Sequence, residues 1–224
     1  MTVTYHADVA QGSDEWLALR RGILTASEMK LVITPTLKIA ANDKQRAHLC
    51  ELVAQRISGY VEPHYISDDM LRGQDDEWHA RDTYAKRVAP VEECGFITND
   101  RWGFTLGYSP DGLVGDEGLI ECKSRRQKYQ VQTIANGVIP DDYYMQVQTG
   151  LLVSEREWLD FVSYCGGLPM CVIRVHPDDA TQQAILEASA AFEEQARVML
   201  ENYNANLRKL RTFPTERREV VEIF

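Results

Sequence analysis

Ser109-Pro110-Asp111-Gly112-Leu113-Val114-Gly115-Asp116-Glu117-Gly118-Leu119-Ile120-Glu121-Cys122-Lys123 is the stretch on which the reading of this chain turns. Residues 112–114 and 119–123 have strand texture, and the glycines of Gly115-Asp116-Glu117-Gly118 suit a tight reversal between them. An antiparallel hairpin lays its arms side by side, so Asp111, at the turn into the first strand, converges on Glu121 and Lys123 in the second. Alternation then assigns the faces: Ile120 and Cys122 point into the core, while Glu121 and Lys123 point together the other way.

Upstream, residues 92–98 and 104–108 read as a hairpin turning at Asn99-Asp100. With the stretch above they predict an antiparallel meander. Before it the chain is helical. Residues 11–21 form a short helix entered through Ser13-Asp14, and Thr25-Ala26-Ser27-Glu28 has the pattern of a second helix cap. Residues 42–58 carry Leu49, Leu52, Val53 and Ile57 at helical spacing, and 67–88 gives another helix stopped by Pro90. Downstream come helices over 127–136 and 141–153, then strands over 158–165 and 170–176 joined across Gly166-Gly167-Leu168-Pro169. A long helix runs from Asp178 to about Leu210, with Ile185, Ala188, Phe192, Ala196, Met199, Tyr203, Leu207 and Leu210 spaced to pack along its whole length. Without a repeat or a Pro-, Gly- or Ser-rich linker, this order predicts one α/β domain over 1–224, a mixed sheet flanked by helices. Its catalytic core covers about 13–177, the long helix about 178–210 and a tail 211–224.

Composition narrows the function. At 224 residues, 44% hydrophobic and 26% charged, the chain can build a core without covalent staples. Five widely spaced cysteines without a C-x-x-C pair argue against zinc ribbons, iron–sulfur clusters and secreted scaffolds, and favour a reducing cytoplasm. No leader-like or membrane-spanning apolar stretch is visible, so neither export nor a membrane partner is expected. A net charge of −10 disfavours a passive nucleic-acid coat. It is compatible with an enzyme that gathers carboxylates around a metal and concentrates its cations where phosphates lie. Lys123, Arg125, Arg126 and Lys128 form such a basic run, and Arg208, Lys209, Arg211, Arg217 and Arg218 crowd the C-terminus. Asp68, Asp69, Asp75, Asp76 and Glu77 form an acidic block.

Two carboxylates beside a lysine suit a hard divalent ion such as Mg²⁺, which prefers oxygen ligands, with Lys123 orienting or deprotonating a water or steadying developing phosphorane charge. Asp-x9-Glu-x-Lys is a short pattern, and the plain alternative is a turn-capping Asp111 with a solvated Glu121–Lys123 pair. No histidine (His6, His48, His64, His79, His176) stands at metal-ligand spacing. Trp16, Trp78, Trp102 and Trp158 read as packing residues. With no phosphate loop or nucleotide fingerprint, ATP is not expected.

Four ordered segments give the pattern a context: residues 16–28 (Trp16-Leu17-Ala18-Leu19-Arg20-Arg21-Gly22-Ile23-Leu24-Thr25-Ala26-Ser27-Glu28), Gly73-Gln74-Asp75-Asp76-Glu77, Ser109-Pro110-Asp111-Gly112 with Glu121-Cys122-Lys123, and Tyr144-Met145-Gln146-Val147-Gln148. With them the chain, from about Trp16 to Val153, resembles the PD-(D/E)xK nuclease superfamily and, within it, the lambda exonuclease family of YqaJ-type viral recombinase nucleases. The resemblance implies a restriction-endonuclease-like core. It makes Asp111, Glu121 and the Cys122 backbone carbonyl metal ligands, Lys123 the catalytic lysine, and Glu77 the helical glutamate of a second metal or its water. Asp75 and Asp76 are read as solvated charges. Gln146 matches the family's active-site glutamine, and Gln148 is equally readable as a structural hydrogen-bonder.

Arg20, Ser27 and Ser109 match the positions that hold the 5′-phosphate, a sensible set of donors for an anion; Arg21 leaves the choice of arginine open. Arg125, Arg126 and Lys128 would contact the DNA backbone. The implied activity is an ATP-independent 5′→3′ exonuclease on double-stranded DNA ends, using two Mg²⁺ ions (Mn²⁺ as substitute) and releasing mononucleotides. It would act as a homotrimer ring and pass 3′ single strands to a single-strand annealing recombinase protein. The rival expectations are a restriction- or repair-type endonuclease of the same superfamily and a non-catalytic DNA-end-binding scaffold.

Overall fold

The computed structural model of the chain describes residues 2–63 and 68–217. His64 and Arg218, named above, lie outside the described residues, as do Ser67 at the expected helix start and the side chains of Asp68, Asp69 and Gln74. In chain order the described elements are β1 (Val3–His6), α1 (Asp14–Arg20), β2 (Leu24–Thr25), a 3-10 helix (Ala26–Leu31), α2 (Asp43–Ser58), α3 (Asp68–Arg87), β3 (Phe96–Asn99) and β4 (Leu106–Tyr108). There follow β5 (Gly112–Val114), β6 (Gly118–Ser124), α4 (Gln127–Asn136), α5 (Asp141–Ser154), β7 (Trp158–Tyr164), β8 (Cys171–Val175) and α6 (Asp179–Leu207).

Helix starts follow their capping side chains. Ser13 accepts from the Trp16 amide, Asn42 from that of Gln45, and Asp178 from those of Ala180 and Thr181. At 25–28 a brief helix does begin with Thr25 as its N-cap, but it is a 3-10 helix, and the Thr25 hydroxyl donates to the Glu28 carboxylate 2.7 Å away instead of capping an amide.

The fold is α/β with helices flanking mixed sheets, and its strands divide into two sheets of four where one continuous meander is the sequence expectation. The first has the order β1-β3-β4-β2, the second β5-β6-β7-β8. The break falls at Ser109-Pro110-Asp111. Both edges of β4 are already taken, by β3 antiparallel and by β2 parallel, and Pro110 has no amide to extend a ladder. The chain therefore leaves the first sheet there and begins the second, in which Gly112 pairs with Ile120 and Val114 with Gly118. β6 runs parallel to β7 from Gly118–Trp158 to Ser124–Tyr164, and α4 and α5 make the crossover. Gly118 is required, because a Cβ there would stand 2.2 Å from the Trp158 ring.

β6 is covered on both faces. Leu119 packs into the main core with Met145, Val147, Leu151, Phe161 and Ile185, while Ile120 and Cys122 join Ala80, Tyr84, Val114 and Val162 in a second cluster. The alternation expected of 119–123 is thus realised. Along α6, Ile185, Ala188, Phe192 and Ala196 are buried, but Tyr203 and Leu207 are exposed, and Leu210 beyond its end is 64% exposed. Packing along the whole helix does not occur. At 29 residues it is about 43 Å long, more than the roughly 30 Å span of a small domain, and its last turns outrun the core. Trp78 also departs from its packing role: it is 57% exposed and meets His79 edge-on. No helix among the described residues is long and apolar enough to cross a membrane.

Candidate active site

Asp111 follows the break between the sheets and is held from β6, where the Cys122 amide donates to its Oδ2 at 2.5 Å. Glu121 is almost fully buried and has both oxygens engaged. The Tyr108 hydroxyl donates to Oε2 at 2.7 Å, and Oε1 receives the Gln146 amide at 2.5 Å and the Lys123 ammonium at 2.6 Å. A solvated pair on an open sheet face is therefore not what these residues form. Glu77 enters from α3 and lines a pocket together with Asp111. Of the other acidic residues, Asp76 is only partly exposed and accepts from the Ser124 hydroxyl, which corrects its reading as a solvated charge, whereas Asp75 is exposed.

Burial, then the like charges of Glu121 and Glu77, hold the Asp111 carboxyl well above the usual carboxylate range. Burial raises Glu77 as well, with Lys123 pulling the other way. For Lys123 burial works against the ammonium, but Glu121 and Asp111 outweigh it and keep its pKa above the ordinary value. Three carboxylates thus share one lysine in a poorly hydrated place. An all-oxygen set of this kind, short of positive charge, fits a hard divalent cation. Among the described residues no three His, Cys, Asp or Glu side chains stand as a ready-made ligand cage. The carboxylates here are drawn onto Tyr108, Gln146, Lys123 and the Cys122 amide instead.

On the other side of the same turn, the Arg20 guanidinium stacks 4.3 Å above the Trp16 ring, donates to the Ser109 hydroxyl at 3.1 Å and reaches the Thr25 hydroxyl at 3.3 Å. Ser27 lies 3.3 Å from Thr25 through its own hydroxyl, so Arg20, Ser27 and Ser109 gather in one place. Burial lowers the Arg20 pKa and Glu28 partly restores it. Arg21 instead donates to the Gly59 carbonyl, which settles which arginine faces Ser109. The ambiguity of Gln148 is resolved as well: it bridges the His176 carbonyl and the Asp178 amide at the start of α6 and takes no part in the cluster.

Past Lys123, Arg125 and Arg126 line a groove of about 700 Å³ with Tyr129 and Tyr143, while Lys128 rides over the Tyr129 ring at 4.7 Å. Tyr108, Thr25 and Tyr143 are neighbours of the site that the sequence reading does not single out. Tyr108 stands directly before Ser109 in strand alternation and could have been found; Thr25 and Tyr143 are brought in by folding alone.

The two-sheet α/β fold is shared with exonucleases of known structure. An alkaline exonuclease from Laribacter hongkongensis is 33% identical, with the match covering 88% of this chain and 99% of that one at a TM-score of 0.78. The same protein in complex with dAMP superposes at 0.79 over the same shares. A phage-related exonuclease from Haemophilus somnus 129PT shares the fold at 13% identity, 82% and 97% coverage and a TM-score of 0.57. Residues 15–157 match the YqaJ-like viral recombinase domain, and the chain belongs to that family. None of the curated proteins is significantly similar to it.

Proposed function

We propose that the chain is a divalent-metal-dependent, ATP-independent exonuclease that degrades duplex DNA from its ends in the 5′→3′ direction, releasing mononucleotides and leaving 3′ single strands for phage-type recombination. One observation carries this reading. A single turn, Ser109-Pro110-Asp111, presents the Arg20–Ser109 anion pocket on one side and the Asp111–Glu121–Lys123 cluster on the other. A terminal phosphate seated at Arg20, Ser27 and Ser109 positions the next phosphodiester at the carboxylates, and such positioning governs rate, since an offset of about 1 Å costs on the order of 100-fold.

Asp111, Glu121, the Cys122 carbonyl and Glu77 would hold the ions, two Mg²⁺ with Mn²⁺ as substitute. When bound, these supply Lewis-acid stabilisation of the phosphoryl and leaving 3′-oxygens. Lys123 orients the attacking water and offsets charge developing on the phosphorus, and Gln146 fixes the Glu121 carboxylate through its 2.5 Å bond. Arg125, Arg126 and Lys128 grip the backbone beyond. The family reading brings with it a homotrimer ring and a single-strand annealing partner; a light-scattering mass of one chain, with and without DNA, would remove the ring.

The test is nucleotide release from linear duplex with a 5′-phosphate, with and without Mg²⁺, beside a supercoiled plasmid. Mg²⁺-dependent release from the linear substrate alone is the expected result. Cutting of the plasmid would assign an endonuclease, and no release under any metal would leave an end-binding scaffold.

A further inference from the structure

The groove beside Lys123 has features that contact with a duplex backbone does not explain. Arg125 lies between two rings, its guanidinium carbon 5.2 Å from the centroids of both Tyr129 and Tyr143, and it donates to the Tyr143 hydroxyl at 2.9 Å. Its Nε is buried with no hydrogen-bond partner among the described residues. A buried guanidinium N–H left unmade is costly unless an acceptor arrives from outside the chain. The first turn of α4 begins at the same place: its cap residue Arg126 lines the groove and makes no side-chain cap bond, so the first amides of this ten-residue helix receive no cap from it. Tyr129 is 42% exposed, with Arg125 and Lys128 both against its ring.

The remaining lining decides what fits. Val138, Ile139 and Pro140 are apolar, and Asp141 and Asp142 open α5 on the same groove. A double helix presents rows of phosphates from both strands and would press one of them on these aspartates. A single strand has one phosphate edge and one edge of flat bases carrying amino donors, which matches a lining that is basic at one part and aromatic, apolar and acidic at another. The volume of about 700 Å³ is in the range that holds one or two such units.

We infer that this groove binds unpaired DNA next to the active site, with phosphates at Arg125 and the first turn of α4 and a base against the exposed ring of Tyr129. The inference takes from the proposed nuclease reading only that the polymer is DNA. It makes Tyr129 a binding residue for a strand that has already left the duplex, distinct from the end pocket around Arg20.

The experiment uses the full chain in EDTA, so that nothing is cut, and measures anisotropy of a short labelled oligo(dT) strand and of a blunt duplex. Tyr129→Ala should weaken single-strand binding on the order of tenfold, the loss of one stacked base, and Tyr129→Phe should restore it. Neither changes the salt dependence, because no charge is removed, while Arg125→Gln should lower the slope by about the share of one phosphate. Duplex binding should change much less with Tyr129→Ala. The inference is overturned if the wild type does not bind the oligo(dT), if Tyr129→Ala binds it as the wild type does, or if single-strand and duplex affinity fall equally. Failure of the nuclease reading shows separately, as absence of nucleotide release by the wild type in Mg²⁺, whatever the binding result.

Discussion

Asp111 is 8% exposed and faces two other carboxylates, so in the absence of a divalent ion its charge opposes folding. Because its pKa in the folded protein is raised, the folded state keeps this proton to higher pH than the unfolded chain does. Stability from this group is therefore lost as pH rises from about 4, the unfolded value, through the folded one. Asp111→Asn keeps an acceptor for the Cys122 amide and removes the charge. In EDTA near neutral pH it should raise Tm by a few degrees, since ~1 kcal/mol moves Tm by roughly 2–4 °C at this size, while abolishing nucleotide release. The gain should vanish at about pH 4, where the carboxyl is protonated in both states. A variant that melts below the wild type in EDTA at neutral pH would mean that the carboxylate cluster is not strained by its own charge. Arg20 is the second residue-scale case. Wild type should degrade 5′-phosphorylated duplex faster than 5′-hydroxyl duplex, and Arg20→Ala should shrink that ratio about tenfold or more, as a charge-assisted contact is worth roughly 1.5–3 kcal/mol. Initial rates on the two substrates check it, and equal treatment of both ends by the wild type removes the pocket.

Among the elements, α4 carries the basic side of the groove, and one side chain ties it to the sheet. Gln130 is fully buried; its amide donates to the Ser163 and Pro169 carbonyls at 3.0 and 2.7 Å, and its oxygen accepts from the Ser163 hydroxyl at 2.6 Å. Gln130→Ala leaves those partners buried and unpaired and opens a cavity, so a loss of about 2–4 kcal/mol in chemical denaturation is expected. Arg125, just before α4, is tied to β7 by its own amide, which donates to the Tyr164 carbonyl at 2.7 Å. Affinity for DNA should fall with stability in this variant, whereas an unchanged midpoint would show that α4 is held by other contacts. α5 performs the matching task on the carboxylate side. Gly150 lets it approach Tyr108, whose ring atoms lie 2.8 Å from where a Cβ would stand, and Tyr108 in turn fixes Glu121.

For the molecule as a whole, the net charge of −10 means that attraction to DNA has to be local. On the proposed reading the cations that matter are those beside the site, with Arg125 and Arg126 at the entry to α4 and Lys128 on its first turn. Replacing Arg125 and Arg126 by Gln should lower the slope of log affinity against log salt for duplex with a single-strand overhang by about 0.7 for each phosphate of the unpaired strand no longer neutralised. Titration of binding across salt concentrations measures this, and an unaltered slope would put the DNA path elsewhere. The exposed end of α6, with Tyr203 and Leu207, and Leu210 just beyond it lie away from the core of the fold and are covered by nothing among the described residues.

What the sequence by itself determined is what depends on neighbours along the chain. Caps at Ser13, Asn42 and Asp178 set helix starts, and the period of two along β6 puts Glu121 and Lys123 on one face with Ile120 and Cys122 on the other. The nine-residue gap closed by a hairpin brings Asp111 to Glu121, and the four ordered motifs carry the family. Only tertiary structure decided that the strands part into two sheets, because that depends on which edges of β4 were already occupied by the distant β2 and β3. Packing likewise selected Arg20 over Arg21 and Gln146 over Gln148. Each pair is adjacent or nearly so in sequence, but at the end of α1 and along α5 such neighbours point in different directions, and what each direction meets is set by residues roughly 25 to 90 positions away. The burial that turns three carboxylates and a lysine from a solvated group into a strained cluster is long-range in the same sense: it comes from α3, α5 and both sheets closing over one turn, which no local pattern encodes.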